Sequence, residues 1–352
     1  MYGSHVKKMG LKSLLCGALA LAGAFAPAAS ASADDLEAAF DRSIGLVRPA
    51  KPAAPAPYAV QPYIQQPVRY SSPLEAQVAT LANAAQGRIG VAAVDLSSGR
   101  TISVLGSQPF PLASTSKIAI VATFLEGVDQ GRYRLSDQYP LMMPVPSAKF
   151  SSAQAPVRPG AMLSAERLIE LALTRSDNHA TDALLAAIGG PGAVNRWLAR
   201  AGISGIRMDR TIATLVRDDG AINPAVSVDV RDSATPLAMV ELLSGLYQGQ
   251  WLSPSSRSVL LGAMSRCVTG KGRMRAQLPE DARIAHKTGT LNNTSSDVGI
   301  IESPDGRAIA VAVYTTGQGG KPARDARIAT IARAIYDGYR SESYGTRLSA
   351  SR

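Results

Sequence analysis

"LASTSKIAI" (residues 112–120) sets Ser114 and Lys117 three positions apart at the start of an apolar run. Positions i and i+3 share one face of a helix, so the lysine can reach the serine hydroxyl. The same residues also suit the polar start of any helix, because serine is a favoured N-cap. The spacing alone does not choose between these readings. Ser4 and Lys7 repeat it in a segment where no active site is plausible. The choice depends on the rest of the chain.

Two further motifs follow in order. "RSDNHATDALL" (residues 175–185) places Ser176, Asp177 and Asn178 ahead of a helical pattern. "AHKTGTL" (residues 285–291) places Lys287, Thr288 and Gly289 at the end of a strand pattern. Taken singly, the first is another helix cap and the second an ordinary strand-to-turn exit. Ser-x-x-Lys, Ser-Asp-Asn and Lys-Thr-Gly in this order is the signature of penicillin-recognising serine enzymes.

The chemistry accounts for the residue types. A serine is a poor nucleophile until a neighbour takes its proton. A lysine does this if partial burial and nearby positive charge favour its neutral form. Ser114 is therefore the expected nucleophile and Lys117 its base. The unpaired N–H groups of the helix start can meet a developing oxyanion, and the Thr290 N–H would complete that hole. Ser176 is suited to relaying a proton to the leaving nitrogen, and Asn178 to holding a substrate amide. Lys287 and Thr288 can bind a carboxylate. Gly289 would let the substrate lie against the strand edge.

The chain has 352 residues, 46% hydrophobic and 18% charged, enough for one large globular domain. Its net charge of +10 comes without any basic block interleaved with aromatics, so a nucleic-acid partner is not expected. Residues 1–33 read as an export signal. Lys7, Lys8 and Lys12 precede the apolar stretch Leu14 to Phe25, and small residues follow. That stretch is too short for a membrane anchor. An exported product, periplasmic or secreted, is expected. Cys16 lies in the signal, which leaves Cys267 alone and excludes an internal disulfide. Residues 34–73 carry seven prolines and read as an extended spacer or leader.

From residue 74 to about 340 the pattern is one domain, with a flexible tail at 341–352. "RIGVAAVDL" and "RTISVLG" read as paired strands, as do "SDVGIIES" and "RAIAVAVYTT" near the other end. Between them lie helical patterns at Ala165 to Thr174, Ala180 to Ile188, Ala193 to Ala201 and Pro236 to Tyr247, and a last one runs to Tyr339. The expected fold class is α+β. An antiparallel sheet built from both chain ends is flanked by helices, with an all-helical second lobe and a cleft between.

The region from Leu74 to about Tyr339 resembles class A β-lactamases and, more broadly, the penicillin-binding protein superfamily. Residues 231–264, beginning "RDSATPLAMVELL", are similar to the family segment after the Ω loop, and "TGKGRMRAQLP" (residues 269–279) also resembles the family. The resemblance implies that Arg273 helps bind the substrate carboxylate. It also implies that Arg210 and Asp232 form the ion pair that pins the Ω loop. One departure stands inside that loop, "DRTIATLVRDDGAINPAVSVDVRD" (residues 209–232): the family's glutamate position is Ile212, and no glutamate lies between Arg210 and Asp232. That glutamate activates the water that hydrolyses the acyl-enzyme, and isoleucine cannot. Asp218, Asp219 and Asp229 are either substitutes or solvated loop acids.

Three readings stay open. One is a β-lactam hydrolase with slow or altered deacylation. The second is a penicillin-binding D,D-peptidase acting on peptidoglycan stems. The third is a non-catalytic wall-binding or sensing module. The substrate is a β-lactam or a peptidoglycan-like small molecule, and a monomer is expected. No cofactor is implied, since no glycine-rich phosphate loop follows a strand. His5, His179 and His286 have no metal-ligand spacing.

Overall fold

The computed structural model describes residues 70–350. The expected signal, residues 1–33, and nearly all of the expected spacer, residues 34–73, lie outside the described residues.

A five-stranded antiparallel sheet forms the frame. It comprises β1 (Gly87–Asp95), β2 (Thr101–Val104), β8 (Arg283–Leu291), β9 (Thr294–Glu302) and β10 (Ala308–Gly317), in the order β2-β1-β10-β9-β8. The first long strand thus lies beside the last, with Val91 opposite Val313. Both chain ends meet in the middle of the sheet, and β8 is left as an edge strand.

The sequence of β10 shows how the two faces are separated. It is wholly buried and apolar from Ala308 to Val313, yet it alternates in side-chain size. Ala308, Ala310, Ala312 and Tyr314 enter one core, while Ile309, Val311 and Val313 enter another. Successive strand residues point to opposite faces. The β-branched face packs against α1 (Pro73–Leu81) and α9 (Lys321–Ala350). Helix α1 begins cleanly because the Ser72 side chain accepts the Glu75 N–H and Pro73 fits the first turn. Helix α9 runs past Tyr339, where it was expected to end, since no proline stops it.

The alanine face meets the helical lobe. At its centre lies α2 (Lys117–Asp129), whose residues from Lys117 to Leu125 are all buried, as a helix enclosed on all sides requires. Around it lie α3 (Ala165–Thr174), α4 (Asn178–Ala187), α5 (Pro191–Arg200), α6 (Ile212–Arg217), α7 (Pro236–Gln248) and α8 (Pro254–Ser265). The lobe also carries a two-stranded hairpin, β4 (Gln138–Pro144) with β5 (Val157–Ser164), where only helices were expected. Pro140, Pro144 and Pro159 keep this half-exposed stretch extended, and its register shifts between Pro140 and Met142. Short strands β3 (Phe110–Pro111), β6 (Ile206–Arg207) and β7 (Ser233–Ala234) form a third sheet that joins the two lobes. Among the described residues no helix is long and apolar enough to cross a membrane.

Candidate active site

Ser114 stands in a single 3-10 turn, Ala113–Ser116, that leads into α2. Its neighbours Ala113, Thr115 and Ser116 are buried while Ser114 itself is partly open. Ala113 has φ 47°, a left-handed conformation that costs a non-glycine residue strain. The surroundings hold it in place. Leu112 N–H donates to Asp232 O at 2.9 Å, Thr115 Oγ1 to Leu112 O at 2.6 Å, and Ser116 Oγ to Ala113 O at 2.8 Å. Gly289 on β8 makes the close approach possible. A Cβ there would lie 2.4 Å from Ser296 Oγ and 3.1 Å from Ala113 Cβ. The glycine therefore serves the packing of the Ser114 turn against the strand.

Lys117 is fully buried at the first position of α2. Its ammonium donates to Ser176 O at 2.6 Å, Asp177 O at 3.2 Å, Asn178 Oδ1 at 2.7 Å and Ser176 Oγ at 3.3 Å. These acceptors gather at one point for two local reasons. Ser176 takes φ 60°, which turns its carbonyl inward. Asp177 caps α4 by accepting the Ala180 N–H at 2.7 Å, which sets Asn178 in the first turn. Among the described residues no hydrogen bond joins Lys117 Nζ to Ser114 Oγ. The lysine is drawn instead to the start of α4, and such contacts commonly tighten only when substrate binds.

Lys287 on β8 is also fully buried, and its ammonium donates to Ser176 Oγ at 2.9 Å and Thr288 O at 3.0 Å. Two ammonium groups thus converge on one hydroxyl. Burial, and next the charge of Lys287, hold the Lys117 ammonium well below the ordinary lysine range, against the opposing pull of Asp177 and Asp182. Burial likewise lowers Lys287 to about 8; the Arg273 charge assists, while Cys267 and Asp297 oppose.

Arg273 is engaged by protein groups on every side of its guanidinium. It is 1% exposed. Nε donates to Asp325 at 2.7 Å, Nη1 to Gly289 O at 2.8 Å and Ser296 O at 2.7 Å, and Nη2 to Thr290 Oγ1 at 2.7 Å. Its pairing with Asp325 on α9 ties it behind β8, where it braces the Gly289–Thr290 backbone. Thr288 Oγ1 lies 2.6 Å from Thr269 Oγ1, so that pair of hydroxyls floors the same end of the cleft.

Arg210 and Asp232 form the neck of the loop between α5 and α7. Arg210 Nε donates to Asp232 Oδ2 at 2.5 Å, and Asp232 Oδ1 accepts the N–H groups of Asp209 at 2.9 Å and Arg210 at 3.1 Å. Inside the neck, none of the three loop acids is a free base. Asp218 is held by Arg217 at 2.7 Å and the Phe150 N–H at 2.8 Å. Asp219 accepts the Asn292 N–H at 2.9 Å. Asp229 pairs with Arg231 at 2.8 Å and Arg210 at 3.2 Å. Ile212 is 2% exposed and packs into the main core.

Asp182 went unnoticed in the sequence and proves central to this corner. It lies one helical turn beyond Asn178 on α4, and its two oxygens accept the Ile212 and Ala213 N–H groups, each at 2.7 Å. These are orphan donors at the start of α6. Burial raises the Asp182 carboxyl, against the pull of those two N–H groups, Lys117 and His179. Among the described residues no group of three or more His, Cys, Asp or Glu is placed to hold a metal.

Comparisons with known proteins agree on one family. The model of the β-lactamase enzyme family matches residues 73–339. The β-lactamase CTX-M-25 of Escherichia coli is 30% identical over 269 residues, covering 76% of this chain and 89% of its own. A β-lactamase of Streptomyces albus G is 30% identical, covering 72% and 80%. Among solved structures, the ancestral Gram-negative class A β-lactamase superposes with a TM-score of 0.64 at 36% identity, over 75% of this chain and 99% of that one. A β-lactamase from Chitinophaga pinensis gives a TM-score of 0.67 at 26% identity, over 76% and 100%. The chain belongs to the class A β-lactamase family.

The Asp182 contact yields a direct expectation. Asp182→Ala strands two buried N–H groups and should cost on the order of 2–4 kcal/mol in urea unfolding. It should also speed amide exchange at Ile212 and Ala213, whereas Asp182→Asn, which keeps one acceptor oxygen, should retain part of the protection. Unchanged exchange in Asp182→Ala would show that the contact does not seat α6.

Proposed function

We propose that this class A β-lactamase chain is an exported, monomeric serine hydrolase that opens β-lactam amides through an acyl-enzyme at Ser114 and releases the acyl group slowly. The observation that carries the reading is the convergence of Lys117 and Lys287 on the Ser176 hydroxyl, 3.3 and 2.9 Å away. The names of its relatives supply the substrate class. The basic, apolar and small-residue pattern of residues 1–33 supports export.

The steps follow from the charges. A buried lysine beside a second ammonium is neutral at a lower pH than a solvated one. Neutral Lys117 takes the Ser114 proton, and Ser114 Oγ attacks the lactam carbonyl. The oxyanion meets the N–H groups of Ser114 and Thr290, the latter on the open edge of β8. Ser176 delivers a proton to the leaving nitrogen and is replenished through the lysines at its hydroxyl. Asn178 holds the substrate amide while also accepting from Lys117. Lys287 and Thr288 anchor the substrate carboxylate. Arg273 supports this end through Thr290 and through its charge.

Deacylation needs a base to activate water on the other face of the ester. Ile212 occupies the sequence position of the family's glutamate, two after Arg210, and its burial supports the loss of that base, while Asp218, Asp219 and Asp229 are each engaged elsewhere. The same gap favours a second reading, a penicillin-binding D,D-peptidase. Release of D-alanine from a stem pentapeptide, abolished in Ser114→Ala, would select it. Retention of the whole Ser114, Lys117, Ser176 and Lys287 set speaks against a non-catalytic binding module.

Intact-mass analysis after mixing with benzylpenicillin should show one acyl adduct that persists for minutes to hours. Ser114→Ala should show none. Introducing the missing acid with Ile212→Glu should speed clearance of the adduct by roughly 10²-fold or more, the usual scale of a positioned general base. Rapid turnover by the unaltered chain would overturn the slow-release reading.

The rate of acylation should depend on pH in a bell. It rises as Lys117 loses its proton, on a limb below the ordinary lysine range. It falls as Lys287 loses its proton near 8. Asp182→Asn removes a negative charge that favours the Lys117 ammonium, so the rising limb should move to lower pH. Lys287→Arg, which keeps its charge, should push the falling limb upward. Stopped-flow acylation with a chromogenic cephalosporin reads both limbs, and a falling limb unmoved in Lys287→Arg would assign it to another group.

A further inference from the structure

Behind the carboxylate-anchoring end of the cleft lies a cluster that the reaction above does not use. Cys267 follows α8, and its backbone N–H is bound to Met264 O at 3.2 Å. Its sulfur lies 3.2 Å from Thr269 Oγ1. That hydroxyl is in turn 2.6 Å from Thr288 Oγ1. The thiol is thus two contacts from a residue that binds substrate.

His286 completes the cluster. It sits two positions before Thr288 on β8 and so shares its face of the strand. It is 1% exposed, and Nδ1 is 2.8 Å from Asp297 Oδ1, whose other oxygen accepts the Met274 N–H at 3.2 Å. Nε2 is buried with no oxygen or nitrogen partner, and the ring interacts with the Cys267 thiol. The imidazole faces the Cys267 thiol: burial works against both charged forms, yet the two groups stabilise one another. The thiol is lowered to about 7 and the imidazole, with Asp297 the larger influence, is raised to about 10. Lys287 adds a further positive charge. A thiol whose charged form is favoured by a neighbouring imidazolium is a better nucleophile than a buried thiol alone.

The access is narrow. Cys267 is 9% exposed, but the next residue, Val268, is 54% exposed. Cys267 is thus a buried residue beside an exposed one, an approach that favours a compact reagent over a bulky one.

We propose that Cys267 is a modification site for small electrophiles of the disulfide or thiosulfonate class, and that occupying it weakens the carboxylate anchor at Thr288. With methyl methanethiosulfonate as the probe, the Cys267 thiolate attacks the sulfenyl sulfur. A new S–S bond forms, the S–SO2 bond breaks, and methanesulfinate leaves with the electron pair. The thiol proton goes to solvent. The added methylthio group lies where Thr269 now meets Cys267. It displaces the Thr269 hydroxyl and with it the partner of Thr288. The effect on catalysis rests on the acyl-enzyme reading above; the reactivity of the thiol does not.

The test uses the full chain carrying Cys16→Ser, so that Cys267 is its sole thiol. Methyl methanethiosulfonate should add one methylthio group, mapped by peptide mass to Cys267, while a bulky aromatic disulfide should not react until the chain is denatured. Acylation by a chromogenic cephalosporin should then fall at least tenfold and recover on reduction. In a Cys267→Ser chain, or Cys267→Ala if the serine variant does not fold, the reagent should leave acylation unchanged. No adduct on the folded chain under conditions where the denatured chain reacts fully would overturn the site. An adduct with unchanged acylation would overturn its coupling to Thr288. Absence of acylation in the untreated chain would refute the acyl-enzyme reading, and adduct formation would still decide the modification site.

Discussion

Two lysine ammonium groups are buried against a single serine hydroxyl, and the rest of the site depends on that arrangement. Burial in a low-dielectric setting disfavours the charged form of each lysine, and the Lys287 charge lowers Lys117 further. Backbone carbonyls of Ser176, Asp177 and Thr288 and the Asn178 side chain keep the cluster in place by accepting from both ammoniums. The acceptors around Lys117 gather because Ser176 takes a left-handed conformation and Asp177 caps the next helix. The fold supplies the frame: a buried helix presents Lys117 and an edge strand presents Lys287. The junction tightens further at Gly289, where a side chain would collide with Ser296 and the Ser114 turn.

The loop that closes the site is fastened from two directions. Arg210 and Asp232 clamp its neck, and Asp182 holds the first turn of α6 from inside the helical lobe. Asp182 also touches the reaction electrostatically, because its charge is one of those that favour the Lys117 ammonium. Seating the loop and setting the proton affinity of Lys117 are thus linked through one carboxylate. Ile212, at the position fastened this way, brings apolar volume into the main core.

Much of this was legible in the sequence for a physical reason. Each of the three polar clusters reads alone as a cap or a strand exit, and it is their order, which resembles the signature of penicillin-recognising serine enzymes, that joins them into one site. The paired strands at both ends were legible from their composition and turns. Other features were hidden. Asp182 looks like any polar residue on a helix, because its partners are backbone N–H groups in a distant segment. Arg273 looked like a substrate ligand, but the carboxylate that engages it, Asp325, lies fifty-two residues away on the final helix. The three loop aspartates read as solvated or catalytic, and their arginine and backbone partners became visible only with the loop folded. The β4–β5 hairpin escaped because its half-exposed, proline-bearing strands lack a clear alternation. The Cys267–His286–Asp297 cluster joins three segments that no local pattern connects.

The central claim is that Lys117 can act as a base because it is buried beside Lys287. Carbon-13 NMR of lysine Cε, with Lys117 and Lys287 assigned by substitution, measures both proton affinities directly. The account predicts that Lys117 titrates well below the ordinary lysine range and Lys287 near 8, and that Lys287→Met raises Lys117. A Lys117 that titrates with the solvent-exposed lysines, unmoved by Lys287→Met, would contradict it.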